Sequence, residues 1–80
     1  MKTNANIKKQ LAKKIGNAIK FYRCKINLSQ EKLADRVGVD RTYIGALEQG
    51  VKCGSVYCLY VIAQELNIPF QELFDIKISK

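Results

Sequence analysis

Leu28-Ser29-Gln30-Glu31-Lys32-Leu33-Ala34-Asp35-Arg36-Val37-Gly38-Val39-Asp40-Arg41-Thr42-Tyr43-Ile44-Gly45-Ala46-Leu47-Glu48-Gln49-Gly50 reads as two short helices separated by a tight turn. Ser29 is a preferred N-cap, whose hydroxyl accepts a hydrogen bond from an otherwise unpartnered first-turn amide. Leu33, Ala34 and Val37 then recur at helical spacing. Gly38 ends the run, because glycine enters the left-handed conformation without a steric penalty. Only Val39 separates it from Asp40, a second capping residue that opens a helix closed by Gly50. Ala34 is small enough to let the second helix cross closely over the first. Ile44 and Leu47, about one turn apart, anchor that second helix to a core. Thr42, Gly45, Ala46 and Gln49 are left on its outward face, with Arg41 at its exposed N-terminal end.

Outward from this pair the periodicity stays helical. On the N-terminal side, Ile7, Leu11, Ile15, Ala18, Ile19, Tyr22 and Ile26 follow three-or-four spacing and predict a helix over roughly Asn6 to Ile26. Lys9, Lys13 and Lys20 fall on its other side, and Asn27 suits the left-handed residue that ends it. On the C-terminal side, a helix starts at Ser55, carries Val56, Leu59, Ile62, Ala63 and Leu66 inward, and ends at Asn67. A short fifth helix is expected from Pro69 to Phe74, proline being suited to a first turn. Strand-like alternation, repeats and linkers are absent. The expectation is therefore a single all-α domain over 1–80, a compact bundle of five helices.

Charge narrows the function. Fourteen Lys and Arg stand against seven Asp and Glu, giving +7, and residues 1–25 hold eight basic side chains and no acidic one. A polyanion partner follows, either nucleic acid or an anionic membrane surface, unless the excess serves only solubility. The longest apolar run, Val56 to Ala63, is far too short to cross a bilayer. No stretch of signal-peptide length opens the chain. Cys24, Cys53 and Cys58 then read as free thiols in a reducing cytoplasm. With no His and no suitable cysteine spacing, neither a zinc site nor any other cofactor is expected. An enzyme is not expected either, since the sequence offers no Gly-rich phosphate loop, no CxxC pair and no room for a ligand-sized cleft.

Two short helices joined through a glycine, the second capped and facing outward, make the helix-turn-helix pattern, here spanning 30–49. In that arrangement the second helix enters the major groove with its N-terminal residues against base edges. Arg41 can then donate two hydrogen bonds to guanine O6 and N7, and Thr42 can bond a base edge or set its methyl against thymine. An exposed glycine inside a helix costs about 1 kcal/mol against alanine. Close approach of Gly45 to DNA would account for that cost, the alternative being a neutral surface glycine. Leu28 to Ala34, Val37 to Asp40, Ile44 to Gly50, Ile62 to Ile68 and Glu72-Leu73-Phe74 together resemble the phage-repressor and Cro type of helix-turn-helix protein. The likeness runs without a gap over about 18–74. It implies that Gln30 bonds a phosphate and braces the recognition helix, and that Arg23 and Glu48 form an internal salt bridge.

Asp40 to Ile44 is more narrowly similar to the controller proteins of restriction-modification systems, small autoregulators that bind paired palindromic operators as dimers. That likeness implies DNA contacts by Arg41, Thr42 and Tyr43, and a phosphate contact by Lys52. Gly45-Ala46 and Cys53-Gly54 depart from the controller pattern. Base reading is thus expected from Arg41, Thr42, Gly45 and Ala46, and phosphate binding from Gln30, Arg36, Tyr43 and Lys52, helped by Lys20 or Lys25. Arg36 reads equally well as solvated surface, and the basic start of the chain either reaches the flanking minor groove, lies along phosphate or is a solvated helical face.

One such unit reads few base pairs, so a homodimer on a palindromic operator is expected. Apolar residues too numerous for a small core assign the interface to Val61, Phe70, Leu73, Phe74 and Ile76. No membrane partner or small-molecule substrate is expected. The other readings are a phage or chromosomal repressor, an operator-binding antitoxin, and a membrane-surface helix. Redox sensing at Cys24, opposite the first helix's apolar stripe, is a further option.

Overall fold

Capping residues set the helix ends in the computed structural model, which describes residues 5–74. The order is α1 Ala5–Lys25, α2 Gln30–Val37, α3 Arg41–Glu48, α4 Val56–Leu66 and a final 3-10 turn, Phe70–Leu73. No strand occurs among the described residues. Ser29 Oγ accepts from the Lys32 amide and Ser55 Oγ from the Cys58 amide, each at 3.0 Å. Asn27 and Asn67 hold left-handed φ of 54° and 61°, ending α1 and α4. Gly38, at φ 87°, donates its amide to Ala34 O and reverses the chain so that Asp40 opens α3. The Asp40 carboxylate does not cap α3. It accepts instead from the Thr42 hydroxyl, leaving the first-turn amides of α3 without a side-chain partner from Asp40.

The core is a single cluster in which Ile15 and Ile19 of α1, Leu33 and Ala34 of α2, Ile44 and Leu47 of α3 and Leu59, Ile62 and Leu66 of α4 meet Leu73. Tyr22 Oη donates to Glu72 Oε1 at 2.7 Å, tying α1 to the final turn across 50 positions. Three expectations are corrected here. The fifth helix is one 3-10 turn of four residues, too short to pack as a helix on its own. Ile7, Leu11, Ile26 and Val56 do not reach the core. They remain 61%, 42%, 46% and 72% exposed: Ile7 and Leu11 precede the first buried residue of α1, Ile26 lies in the turn after it, and Val56 opens α4. Leu73 is fully buried in its own chain and so is not available to a second copy. Ile76 lies outside the described residues.

One packing contact went unremarked in the sequence. A Cβ on Gly16 would lie 2.1 Å from Leu47 O and 2.8 Å from Glu48 O. The C-terminal end of α3 therefore rests directly on the backbone of α1. Only a residue without a side chain permits that separation.

Candidate nucleic-acid interface

The position of α3 follows from a buried polar network at its C-terminal end. Arg23 Nε and Nη2 donate to Glu48 Oε2 and Oε1 at 2.6 and 3.0 Å, a two-pronged pair, while Arg23 Nη1 donates to Leu28 O at 2.7 Å. The Glu48 side chain is 3% exposed and that of Arg23 11%. Such a pair is held by geometry and saturated hydrogen bonding more than by net Coulomb gain. The hydrogen bond that Arg23 donates to Glu48 raises the Arg23 pKa further, outweighing the opposing effect of burial. Gln30 Nε2 donates to Glu48 Oε1 at 3.0 Å, which turns the amide oxygen toward α3. That oxygen accepts from Arg41 Nη1 at 3.2 Å. A hydrogen-bonded chain thus runs from the Leu28 carbonyl through Arg23, Glu48 and Gln30 to the exposed tip of α3, joining α1, α2 and α3.

The outer face of α3 is open. Arg41, Thr42 and Gln49 are exposed, and Gly45 and Ala46 are half-buried at its edge. A Cβ on Gly45 would meet only Gln30 Oε1, at 3.7 Å, an ordinary contact. Packing within the chain therefore does not require glycine there. Past the helix, Ala46 O accepts from the Val51 and Lys52 amides at 2.9 and 3.4 Å. The loop folds under the end of α3 and leaves the Lys52 side chain exposed.

The four expected phosphate ligands occupy different surroundings. Gln30 is half-buried with both amide atoms engaged, whereas Arg36 is exposed in the last turn of α2. Tyr43 is half-buried, and burial foremost, helped by neighbouring Cys58, raises its hydroxyl pKa. Burial likewise pushes the Cys58 thiol up, against the opposing hydrogen bond from Tyr43. Both groups therefore stay protonated at neutral pH. Arg41, Thr42 and Gly45 belong to α3, while Val61, Phe70 and Phe74 belong to α4 and the final turn. There the Tyr60 and Phe70 rings stand 5.8 Å apart and those of Phe70 and Phe74 5.0 Å. Cys24 is exposed, on the α1 face away from the core. Among the described residues no group of three or more His, Cys, Asp or Glu side chains is placed to hold a metal. No helix among the described residues is long and apolar enough to cross a membrane.

Residues 19–73 match the sequence profile of the helix-turn-helix family. A helix-turn-helix-type transcriptional regulator of Archaeoglobus fulgidus, itself uncharacterised, is 43% identical over 56 residues, covering 70% of this chain and 79% of that protein. The restriction-modification controller protein C.AhdI of Aeromonas hydrophila superposes with a TM-score of 0.76 at 36% identity, over 79% of this chain and 96% of that one. SinR, a master regulator of biofilm formation from Bacillus subtilis solved in complex with DNA, gives a TM-score of 0.72 at 29% identity, over 76% and 98%. Profile, sequence and fold converge: the chain belongs to the helix-turn-helix family of DNA-binding transcription regulators, which are not enzymes.

Proposed function

We propose that this regulator binds a palindromic operator as a homodimer, in the cytoplasm of a bacterial or phage-infected cell, and serves as the autoregulatory controller of a restriction-modification system. In this reading 1–80 form one domain and α2 with α3 is the helix-turn-helix unit. The observation that carries it is the bracing of α3, whose base is locked by Arg23, Glu48 and Gln30 while Arg41 and Thr42 project from its open end. A rigid helix with a free N-terminal tip is what major-groove reading requires. Arg41 and Thr42, with Gly45 and Ala46 against the groove, read bases. Gln30, Arg36, Tyr43 and Lys52 fix the helix on phosphates.

Similarity to C.AhdI favours the controller assignment over a general repressor. An adjacent methyltransferase and endonuclease gene pair would decide that point. The exposed edge of the Tyr60, Phe70 and Phe74 cluster, with half-buried Val61, supplies an apolar surface for the second copy.

Two variants test the division of labour. Arg41→Ala should cost about 1–3 kcal/mol on the operator and relax selectivity at one base pair. Lys52→Ala should weaken all duplexes alike and reduce the salt slope by about one. If the two variants behave alike across sequences, the assignment of base and backbone contacts is wrong.

A further inference from the structure

The N-terminal half of α1 lies outside the matched family profile. The profile match begins at residue 19, yet α1 begins at Ala5, about four turns earlier. Those extra turns are placed by packing. Gly16 seats α1 on the end of α3, and a Cβ on Gly50 would lie 2.9 Å from Lys13 Cγ, so α1 continues alongside the loop that follows α3. Between them runs a groove with Lys8, Lys9 and Lys13 on one wall and the 49–53 loop on the other.

Three features of the groove agree on its occupant. It is continuous with the outward face of α3, because Gln49 belongs to both. Its charge is of one sign: the chain's seven acidic residues all lie at or beyond Glu31, and Glu48, the nearest in sequence to the loop, is committed to Arg23. Lys8, Lys9, Lys13 and Lys52 are exposed, and none is paired with a carboxylate among the described residues. Three unneutralised cations in the lining, with Lys52 on the adjoining loop but outside the lining, match the sugar–phosphate backbone of a duplex held by α3.

We propose that the groove between 5–13 and 49–53 grips the operator backbone beyond the bases that α3 reads, with Lys8, Lys9 and Lys13 as ligands. This inference rests on the DNA-binding reading above. The nine residues from Ala5 to Lys13 span about 13 Å, enough for about three phosphates of one strand. The contact would lengthen the protected site on each side of the palindrome without adding sequence information.

The test uses the full chain and the duplex that the wild type enriches from a random-sequence pool. The combined variant Lys8→Gln, Lys9→Gln, Lys13→Gln keeps the Lys13 stem that packs on Gly50. It should lower the slope of log affinity against log salt by about two to three per chain. Hydroxyl-radical protection should disappear from the outermost phosphates only, while preference for the enriched duplex over a scrambled one persists. If the variant melts early, Lys8→Gln with Lys9→Gln leaves the Gly50 contact intact and should lower the slope by about two. An unchanged slope with an unchanged protected length overturns the inference. So does loss of binding to phosphatidylserine vesicles with the footprint intact, which would assign the groove to membranes. Failure of the wild type to enrich any duplex would instead remove the DNA reading itself.

Discussion

Gly45 and Glu48 share a helix and answer to opposite demands. Nothing in the folded chain needs glycine at 45, since a methyl group would touch only Gln30 Oε1 at ordinary distance. Gly45→Ala should therefore raise stability by about 0.5–1 kcal/mol. If the α3 backbone sits against a duplex, the same change should weaken operator binding. Thermal melts and binding titrations on one preparation separate the effects, and tighter binding by the variant would take Gly45 out of the interface. Glu48 is the reverse case. Removing its carboxylate leaves the largely buried Arg23 guanidinium without a counter-charge, so Glu48→Ala should cost about 3–5 kcal/mol in urea unfolding. Arg23→Met with Glu48→Leu should recover much of that loss, because no buried charge is left unpaired. A double variant no more stable than Glu48→Ala would contradict this account.

At the scale of elements, α1 meets α3 with no side chain between them at Gly16. Gly16→Ala should cost at least the 1–3 kcal/mol or so typical of overpacking, since its methyl meets backbone carbonyls, which cannot rotate away. A stability equal to the wild type, measured by urea unfolding, would mean that the helices cross elsewhere. The same contact marks where the sequence stops being legible. Helix ends at Ser29, Gly38, Ser55 and Asn67 can be read because capping depends on a few adjacent residues and their backbone. Burial along α1 could be read only in part. Spacing gives the apolar face of a helix but not where its neighbours end, so Ile7 and Leu11 look as internal as Ile15 and Ile19. Asp40 has the chemistry of a cap, yet the Thr42 hydroxyl two residues away takes its carboxylate. Gly16 carries no local signature at all, because its reason is a helix more than thirty residues later. At the candidate site, Arg41 and Thr42 can be placed on an open tip from spacing alone. The bond that Arg41 donates to Gln30 depends on how three helices converge, and the helix period does not encode it.

The whole molecule is small, and 80 residues bury a modest core. A second copy would cover apolar surface that one chain leaves exposed, and that surface has a position. Tyr60 is 50% and Phe74 37% exposed, whereas the Leu73 side chain is entirely internal. Phe74→Glu should shift sedimentation toward the monomer with little loss of helicity, whereas Leu73→Ala should lower the melting point through a cavity costing about 2–5 kcal/mol. A Phe74→Glu variant that sediments as the wild type does would move the pairing surface elsewhere.

The bond between Tyr22 and Glu72 has a consequence for anyone wishing to reuse this protein. It fastens a residue near the end of the first helix to the 3-10 turn, so nearly everything between them is enclosed like the links of a closed bracelet. A graft of α2 and α3 into another scaffold would carry the fingertips and leave behind the palm that holds them apart. A transplantable version has to travel as one piece, from Ile15 through Leu73.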